Sequence, residues 1–449
     1  MNNQFTQSTR LAERATRVIP GGVNSGRRQI DPPLVVRWAR GAHMEDADGN
    51  RMIDYWGGAG SAVLGHSNPT VNERVESAIK NGVLIGTALT PGEIELAERV
   101  VDYVPSIEQV LLCTSGTQAT YFAIRLSRAV TGREKLVKMQ GSYHGYHDSV
   151  LRNVHSTPDR VYARDPHSAG MLPAAVDNTL ICRYNDLHSA RSMFEAHVGE
   201  IAALIIEPLV HNGPTLVPDP GYLEGLRAIC DDHGALLIFD EVVTGFRHGM
   251  GGYQEIANIR PDLTTGGKAF ASGWPIAFLG GARWLMERFN TSPGGDVGWS
   301  GTCNGNTGCV AAALATLDLL SDGTVHTHIT RLGERMRTGL HEIVEEAGIP
   351  ATVTGYGSIF TLWFAEGPIN NYEQVLRNDS VLFKSYRQEL RQRGVWEKPD
   401  MHGARSCVSA CHTDHDIDLT LTAARDSLKA ALSRIAASRK RKHQGVLDV

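Results

Sequence analysis

The chain has 449 residues, and 44 Lys and Arg stand against 49 Asp and Glu, which gives a formal net charge of −5. Apolar residues make up 42% and charged residues 21%, values typical of a globular protein, and they exclude a disordered or fibrous chain. The mildly acidic balance excludes a general binder of nucleic acid or anionic lipid, and no apolar run approaches the roughly 20 residues that cross a bilayer.

The chain divides into three predicted regions. Residues 1–64 contain short extended pieces punctuated by Gly and Pro, and they are expected to pack with the C-terminal region. In residues 65–325, apolar runs alternate with helical patterns, and continuous apolar strands separated by helices indicate a parallel sheet covered on both faces. Residues 326–449 combine long helices with short strands, which predicts a smaller α+β domain.

The individual elements follow from periodicity. Strands are predicted at 109–113, 135–139, 201–206, 235–239, 358–364 and 406–410. Helices are predicted at 117–130, 222–232, 307–320, 329–347, 378–393 and 414–437.

The segment TSGTQ, residues 114–118, joins a predicted strand to a predicted helix. A helix N-terminus offers unpaired N–H groups and the positive end of the helix dipole, while Ser115 and Thr117 add hydroxyls and Gly116 permits a close approach of the backbone. This combination suits a phosphate, although an ordinary helix cap uses the same residue types. The loop at 299–306, before another helix, is a second candidate for anion binding.

Two charged residues lie beside apolar strands. Asp240 follows the run 235–239, at the end of a strand where open α/β sheets bind ligands, and its carboxylate would need a cationic partner such as a protonated ring nitrogen. Lys268 follows two glycines, and a lysine among apolar neighbours has a depressed pKa and can serve as an amine nucleophile. A turn cap and a surface lysine are the ordinary alternatives. The lysine segment is no P-loop, because Asp262 and Ala269 replace the required Gly and Ser or Thr.

Tyr143 comes just after the predicted strand 135–139 and can stack on a flat ring. A phosphate cup, a stacking aromatic, an acid for a pyridinium nitrogen and a lysine for a Schiff base are together the requirements of pyridoxal phosphate. A nicotinamide dehydrogenase would need GxGxxG between a strand and a helix, and the segment at 355–357 lacks the third glycine.

Histidine and cysteine usage points away from metals and disulfides. The pairs His144/His147 and His412/His415 lack a second cluster of ligands and HExxH is absent, so no metal site is predicted. Seven cysteines without a CxxC pair and a polar N-terminus favour reduced thiols and a cytoplasmic location.

Ten stretches of the sequence resemble one known family, in that family's order. They are VIPGGVNSGRR (18–28), DADGNRMIDY (46–55), LGHSNPTV (64–71), SGTQAT (115–120), AIRLSRAVTGREKLVK (123–138), SYHGYHDS (142–149), IIEPL (205–209), LLIFDEVVTGFR (236–247), PDLTTGGKAF (261–270) and SGTCNGN (300–306). The chain resembles the class III (subgroup II) aminotransferases of fold type I, and within them the branch of glutamate-1-semialdehyde 2,1-aminomutase. The resemblance implies an α/β fold, with a large domain built on a mostly parallel sheet covered by helices and a smaller α+β domain.

The resemblance also implies roles in binding pyridoxal 5′-phosphate. Lys268 is implied to bind the cofactor covalently and to shuttle a proton, and Asp240 to pair with the pyridine nitrogen. The other implied cofactor-binding residues are Ser115, Gly116, Thr117, Tyr143, Glu207 and Thr302. Thr302 is implied to reach the phosphate in the neighbouring subunit, which makes the expected assembly a homodimer.

The substrate residues are less uniform across the family. Ser25 and Arg28 fall where the aminomutases bind the substrate, with Arg28 on its carboxylate. Arg405 is a second candidate for binding the substrate carboxylate. It lies in a region where the aminomutases carry a glutamate.

Two further departures concern catalysis. Gln118 replaces the glutamate usual in the motif SGTEA. The stretch 151–170 has few glycines and carries Arg152, Arg160 and Arg164 where the aminomutases have a mobile lid rich in Gly and Ser. Because that lid retains the reaction intermediate, its alteration argues against intramolecular transfer.

We therefore expect a pyridoxal-phosphate aminotransferase. It would move an amino group from a non-standard amino acid (β- or D-) or an amine to an α-keto acid. The alternatives are a glutamate-1-semialdehyde 2,1-aminomutase, an amino-acid racemase or epimerase of the same fold, and a non-catalytic cofactor-binding protein, against which Lys268 and Asp240 argue.

Overall fold

A computed structural model describes residues 5–213, 215–292, 294–400 and 404–444. The strands are β1 (Val36–Arg40), β2 (His43–Asp46), β3 (Arg51–Asp54), β4 (Gln109–Cys113), β5 (Lys135–Met139), β6 (Thr179–Cys182), β7 (Ile201–Ile206), β8 (Leu236–Glu241), β9 (Leu263–Gly266), β10 (Ala277–Gly281), β11 (Thr352–Tyr356), β12 (Ile359–Trp363), β13 (Val395–Trp396) and β14 (Ser406–Cys407). The helices are α1 (Thr6–Thr16), α2 (Gly57–Gly60), α3 (Pro69–Ile79), α4 (Pro91–Tyr103), α5 (Gly116–Thr131), α6 (Pro173–Asp177), α7 (Leu187–Ala196), α8 (Tyr222–His233), α9 (Gly252–Ala257), α10 (Arg283–Met286), α11 (Thr307–Leu320), α12 (Thr324–Ala347), α13 (Tyr372–Val375), α14 (Ser380–Gln392) and α15 (Asp414–Gln444).

The largest sheet has the strand order β4-β10-β9-β8-β7-β5-β6. Only β10 runs against the other six strands, so the predicted parallel sheet is confirmed with one antiparallel member. Every residue of β7 and β8 is buried, because helices cover both faces of the sheet. Strand β8 extends through Glu241, so Asp240 lies inside the strand and not after it.

Two smaller sheets involve the ends of the chain. Strand β13 pairs in parallel with β3, so a strand from the C-terminal region completes the N-terminal sheet β1-β2-β3-β13. Strands β11, β12 and β14 form the third sheet. The domain boundaries expected at residues 64 and 325 stay predictions.

The helix α11 lies in the core, with eleven of its fourteen residues buried. Among the described residues, no single helix has the length and apolar character to cross a membrane, and α11 and α12 would meet that test only as a pair bent by 74°.

Candidate active site

A cavity of about 290 Å³ opens at the carboxyl ends of the parallel strands. Five strands of the large sheet deliver residues to it, because the carboxyl ends of parallel strands lie at the same edge. The lining residues that the sequence singled out are Ser115, Gly116, Thr117, Tyr143, Glu207, Asp240 and Lys268. Seven of the eleven predicted site residues therefore come together in one cavity.

The N-terminus of α5 forms one wall of the cavity. Ser115 caps the helix, and its Oγ accepts a hydrogen bond from the Gln118 N–H at 3.2 Å. A Cβ at Gly116 would lie 2.9 Å from Cγ2 of Val242, so glycine is the residue that fits here without displacing Val242. This cradle of N–H and hydroxyl donors at the positive end of a helix fits a phosphate.

Gln118, the departure from the family motif, keeps the hydrogen bonds that its position requires. Its Oε1 accepts from the Thr114 backbone N–H at 2.8 Å and from the Thr114 hydroxyl at 2.9 Å. An amide oxygen accepts these bonds as a carboxylate does, so the loop retains its shape without the negative charge.

The Asp240 carboxylate also lines the cavity, and only 5% of the residue is exposed. Its Oδ1 accepts from the Val242 N–H at 3.1 Å and from the Thr265 hydroxyl at 3.2 Å. Its Oδ2 lies 2.8 Å from Nδ1 of His144. A carboxylate has further lone pairs, so Asp240 can still accept a hydrogen bond from a protonated ring nitrogen.

His144 is a site residue that the sequence interpretation missed. It was considered there only as one of a metal-ligand pair, although its place next to Tyr143 in SYHG was the available signal. Its ring is buried, and among the described residues Nε2 has no hydrogen-bond partner. The carboxylate of Asp240 accepts a hydrogen bond from the Nδ1–H of His144, and this bond orients the carboxylate toward the cavity.

Lys268 follows β9 and begins a short 3₁₀ segment, Lys268–Ala271. Its φ is +48°, a strained conformation for a residue with a side chain, and such strain concentrates at functional sites. Burial lowers the pKa of Lys268 to about 8, and the positive charge of Arg405 adds to the effect. A larger fraction of this amine is therefore neutral near physiological pH than of an ordinary lysine, and the neutral form is the nucleophile.

Glu207 ties two loops of the cavity together. Its Oε1 accepts from the Tyr143 N–H at 3.4 Å, and its Oε2 accepts from the His211 N–H and the Asn212 side chain, both at 3.1 Å. The half-buried Tyr143 ring is thereby fixed at the cavity edge, where it can stack on a flat ligand.

Neither of the two neighbouring arginines lines the cavity, but Arg27 contacts Tyr143, which does. The Arg27 guanidinium lies 4.9 Å from the centre of the Tyr143 ring, while Ser25 and Arg28 are exposed and do not line the cavity. Both arginines belong to the short 3₁₀ helix Gly26–Arg28, in which successive side chains point about a third of a turn apart. Sequence spacing alone does not reveal which of the two faces the cavity.

Arg405 lies behind the cavity wall, with 2% of the residue exposed. Its Nη1 donates to the His211 carbonyl at 2.9 Å and to Oδ1 of Asn212 at 3.0 Å, and its Nη2 donates to the Ala59 carbonyl at 2.6 Å. Asn212 lines the cavity, so Arg405 is one residue removed from it. Its predicted contact with a substrate carboxylate stays a prediction.

Thr302 lies in the exposed loop before α11 and does not line the cavity of its own chain. Its implied contact with a neighbouring subunit stays a prediction.

A buried lysine anchors the loop that carries Tyr143 and His144. Lys138 in β5 has no exposed surface, and its ammonium donates to the carbonyls of Ser142, Val150 and Arg152 at 2.8, 3.2 and 2.7 Å. These three acceptors use all three N–H bonds of the ammonium. The segment between residues 142 and 152 is therefore gathered around one buried charge.

Residues 151–156 of the segment 151–170 are packed against the body of the protein, whereas most of residues 157–170 are exposed. The Arg152 guanidinium is buried and donates to the carbonyl of Thr179 at 2.7 Å. The Asn153 amide donates to Oε1 of Gln140 at 2.9 Å, and the Gln140 amide donates to the Ser156 hydroxyl at 3.0 Å. Buried polar networks of this kind hold a segment in one conformation.

These residues fit pyridoxal phosphate, because the donor set matches each part of the molecule. The α5 cradle suits the phosphate, Tyr143 the ring face, Asp240 the ring nitrogen and Lys268 the aldehyde. Among the described residues, no group of three or more His, Cys, Asp and Glu could hold a metal ion.

Comparison with known proteins identifies the family. Residues 25–428 match the family model described as aminotransferase class-III. A glutamate-1-semialdehyde 2,1-aminomutase from Acetivibrio thermocellus is 41% identical over 423 residues, which are 93% of this chain and 96% of that protein. The implied family is thus confirmed.

Solved structures agree. An omega-transaminase from Sphaerobacter thermophilus is 31% identical, with a TM-score of 0.90 over 96% of this chain and 100% of that chain. A beta-phenylalanine aminotransferase from Variovorax paradoxus is 29% identical, with a TM-score of 0.86 over 95% of each chain. A transaminase with pyridoxal phosphate bound is also among the similar structures. The chain therefore belongs to the class III aminotransferases of fold type I, and its cofactor is pyridoxal 5′-phosphate.

Proposed function

We propose that this enzyme is a transaminase that moves the amino group of a β- or D-amino acid to an α-keto acid. The observation that carries the proposal is the buried first part of the segment 151–170, residues 151–156. Arg152 and Asn153 hold these residues in place, in the region where the aminomutase branch is expected to have a mobile lid. Without such a lid, the cavity would let one keto compound leave and another enter between the two halves of the reaction.

In this proposal each residue of the cavity has a defined task. Bound pyridoxal phosphate supplies an electron sink for the substrate Cα. Asp240, oriented by His144, would accept a hydrogen bond from the ring nitrogen of the bound cofactor. The Lys268 amine, with its lowered pKa, takes the proton from Cα and returns it at the other reacting carbon.

Arg27 is the residue that we assign to the substrate carboxylate. Its guanidinium is fixed over Tyr143, and its charge reaches Lys268, whose pKa it helps to lower. A planar guanidinium binds a carboxylate with two parallel hydrogen bonds, which suits both the amino acid and the keto acid.

We further propose that the enzyme acts as a homodimer. The segment around α3 and α4 exposes six large apolar side chains in one stretch, which is unusual for a monomer's surface. They are Ile79, Val83, Leu84, Ile85, Leu89 and Ile94. The backbone carbonyls of Gly82 and Val83 accept hydrogen bonds from Thr307, at the end of the loop that carries Thr302, so this apolar surface adjoins that loop.

The seven cysteines are unpaired, in keeping with the proposed cytoplasmic location.

A second candidate function is that of a glutamate-1-semialdehyde 2,1-aminomutase. The sequence relatives support it better than the first candidate, because a protein of that name is 41% identical over 93% of this chain. The two candidates share the cofactor chemistry and differ in whether the same molecule receives the amino group back.

One assay separates the candidates. Holoenzyme is mixed with β-aminobutyrate or D-alanine and 2-oxoglutarate or pyruvate, and separately with glutamate-1-semialdehyde alone. A keto product in equal amount to a new amino acid supports the transaminase. Efficient formation of 5-aminolevulinate without an acceptor, and no transfer from the other donors, would replace it with the aminomutase.

A matched pair of variants tests the carboxylate assignment. Arg27→Ala should raise the KM of amino and keto acids about tenfold to a hundredfold, because a charge-assisted hydrogen-bond pair is lost, while Arg28→Ala should change it less than about twofold. The reverse pattern would transfer the role to Arg28.

A further inference from the structure

We propose that His155 positions Arg27 for the substrate carboxylate and is thereby a residue that sets substrate specificity. The inference rests on the proposed function, since it concerns the same carboxylate. His155 belongs to the segment 151–170, which differs from the aminomutase branch, and it was not among the residues that the sequence singled out.

A hydrogen bond joins the two residues directly. Nη2 of Arg27 lies 2.9 Å from Nε2 of His155. A guanidinium has five N–H donors and no acceptor, so the imidazole must accept the bond at Nε2 and carry its own proton on Nδ1. The bond is therefore formed by a charged donor and a neutral ring, and it uses one of the five donors.

Tyr143 and His155 hold the guanidinium from two directions. The first contact is the Tyr143 ring, 4.9 Å from the guanidinium carbon, and the second is the bond to His155. A free arginine side chain explores many rotamers, and ordering it on substrate binding costs free energy. Two fixed contacts reduce that cost, so the fork is already oriented when a carboxylate arrives.

His155 can fix Arg27 because its own backbone is fixed. Its neighbours in sequence are fully buried, with Val154 1% and Ser156 2% exposed. The Ser156 hydroxyl also donates to Oδ2 of Asp165 at 2.7 Å, and the Tyr372 hydroxyl donates to the Ser156 carbonyl at 2.9 Å. Residues 154–156 thus provide a rigid base for the arginine.

The test compares three variants at this position with a neighbouring histidine. His155→Phe keeps a ring of similar size and removes the acceptor, whereas His155→Gln places an amide oxygen near the position of Nε2. His167→Phe is the matched control. The His167 ring belongs to the same segment and packs edge-on against the His155 ring, with 5.4 Å between the ring centres. The third variant, His155→Phe combined with Arg27→Ala, completes a double-mutant cycle.

Two readouts are needed. The first is the Kd of glutarate, an unreactive dicarboxylate, measured on the holoenzyme by titration calorimetry. The second is the steady-state kinetics with β-aminobutyrate as the donor, compared with the kinetics with α-methylbenzylamine, which has no carboxylate. A melting curve of each variant confirms that it is folded.

In the expected result, His155→Phe weakens glutarate binding and raises the KM for β-aminobutyrate about tenfold, with kcat and the use of α-methylbenzylamine nearly unchanged. His155→Gln restores most of the loss, and His167→Phe changes binding less than about twofold. In the Arg27→Ala background, His155→Phe has no further effect.

The inference is overturned if His155→Phe binds glutarate as the wild type does, or if its effect persists in the Arg27→Ala background. An enzyme that binds glutarate in this His155-dependent way but transfers no amino group would instead contradict the proposed function and leave the inference standing. An enzyme that binds neither glutarate nor β-aminobutyrate would contradict both.

Discussion

The sharpest prediction concerns the buried ammonium of Lys138. In Lys138→Met, a side chain of similar length replaces the amine, and the carbonyls of Ser142, Val150 and Arg152 lose their common donor. Each buried acceptor left without a partner costs about 1–3 kcal/mol. The apolar side chain also removes the cost of burying a charge, so we expect the free energy of unfolding to fall by about 3–5 kcal/mol.

The matched control lies on the same strand. The Lys135 amine contacts His197 and the exposed Glu200 at the surface. Lys135→Met should therefore lower the free energy of unfolding by no more than about 1 kcal/mol. If the whole chain unfolds as one unit, the expected fall in Tm is about 3–5 °C for Lys138→Met and about 1 °C for Lys135→Met.

Hydrogen exchange shows where the loss occurs. The amides between residues 142 and 152 should exchange faster in Lys138→Met, whereas those of α15 should be unchanged. Equal melting temperatures for the two variants, or unchanged exchange in this segment, would refute the idea that the ammonium holds the loop.

Four further predictions concern the cofactor. Borohydride reduction of the holoenzyme followed by peptide mapping should place the pyridoxyl group on Lys268, and Lys268→Ala should lose turnover by several orders of magnitude; a label on another lysine would contradict the assignment. The rate at which the apoenzyme takes up pyridoxal phosphate covalently should rise as the pH increases through about 8, because Lys268 is protonated below its lowered pKa and neutral above it, and a flat profile between pH 7 and 9 would contradict this. Asp240→Asn should reduce kcat far more than cofactor affinity, measured by equilibrium dialysis, and normal turnover would show that another group holds the ring nitrogen. Gly116→Ala should weaken cofactor binding about tenfold in the same dialysis, because its Cβ would lie 2.9 Å from Val242, and unchanged affinity would mean that the cradle relaxes.

The sequence predicted those parts of the fold that depend on local pattern. The strands at 109–113, 135–139 and 201–206 have the predicted bounds. The clearest is 201–206, because a strand buried on both faces reads as a continuous apolar run. The residues that follow such strands gather at one sheet edge, so seven site residues could be placed together.

Long-range contacts were beyond the sequence pattern. The orientation of β10 depends on pairing with β4, which lies more than 160 residues earlier in the chain. The choice between Arg27 and Arg28 depends on which side of a 3₁₀ turn faces Tyr143. His144 was missed because its role depends on Asp240, 96 residues away.

The enclosure of Lys138 also affects how the enzyme responds to amine-reactive reagents. Burial lowers the pKa of Lys138 to about 7, below the value of about 8 for Lys268, so basicity alone would rank Lys138 as the more reactive amine at neutral pH. All three of its N–H bonds point at carbonyls, however, and a reagent cannot reach the nitrogen while the surrounding loop is closed. Acylation of Lys138 therefore requires that loop to open, and the rate of labelling at this one position measures how often it does so.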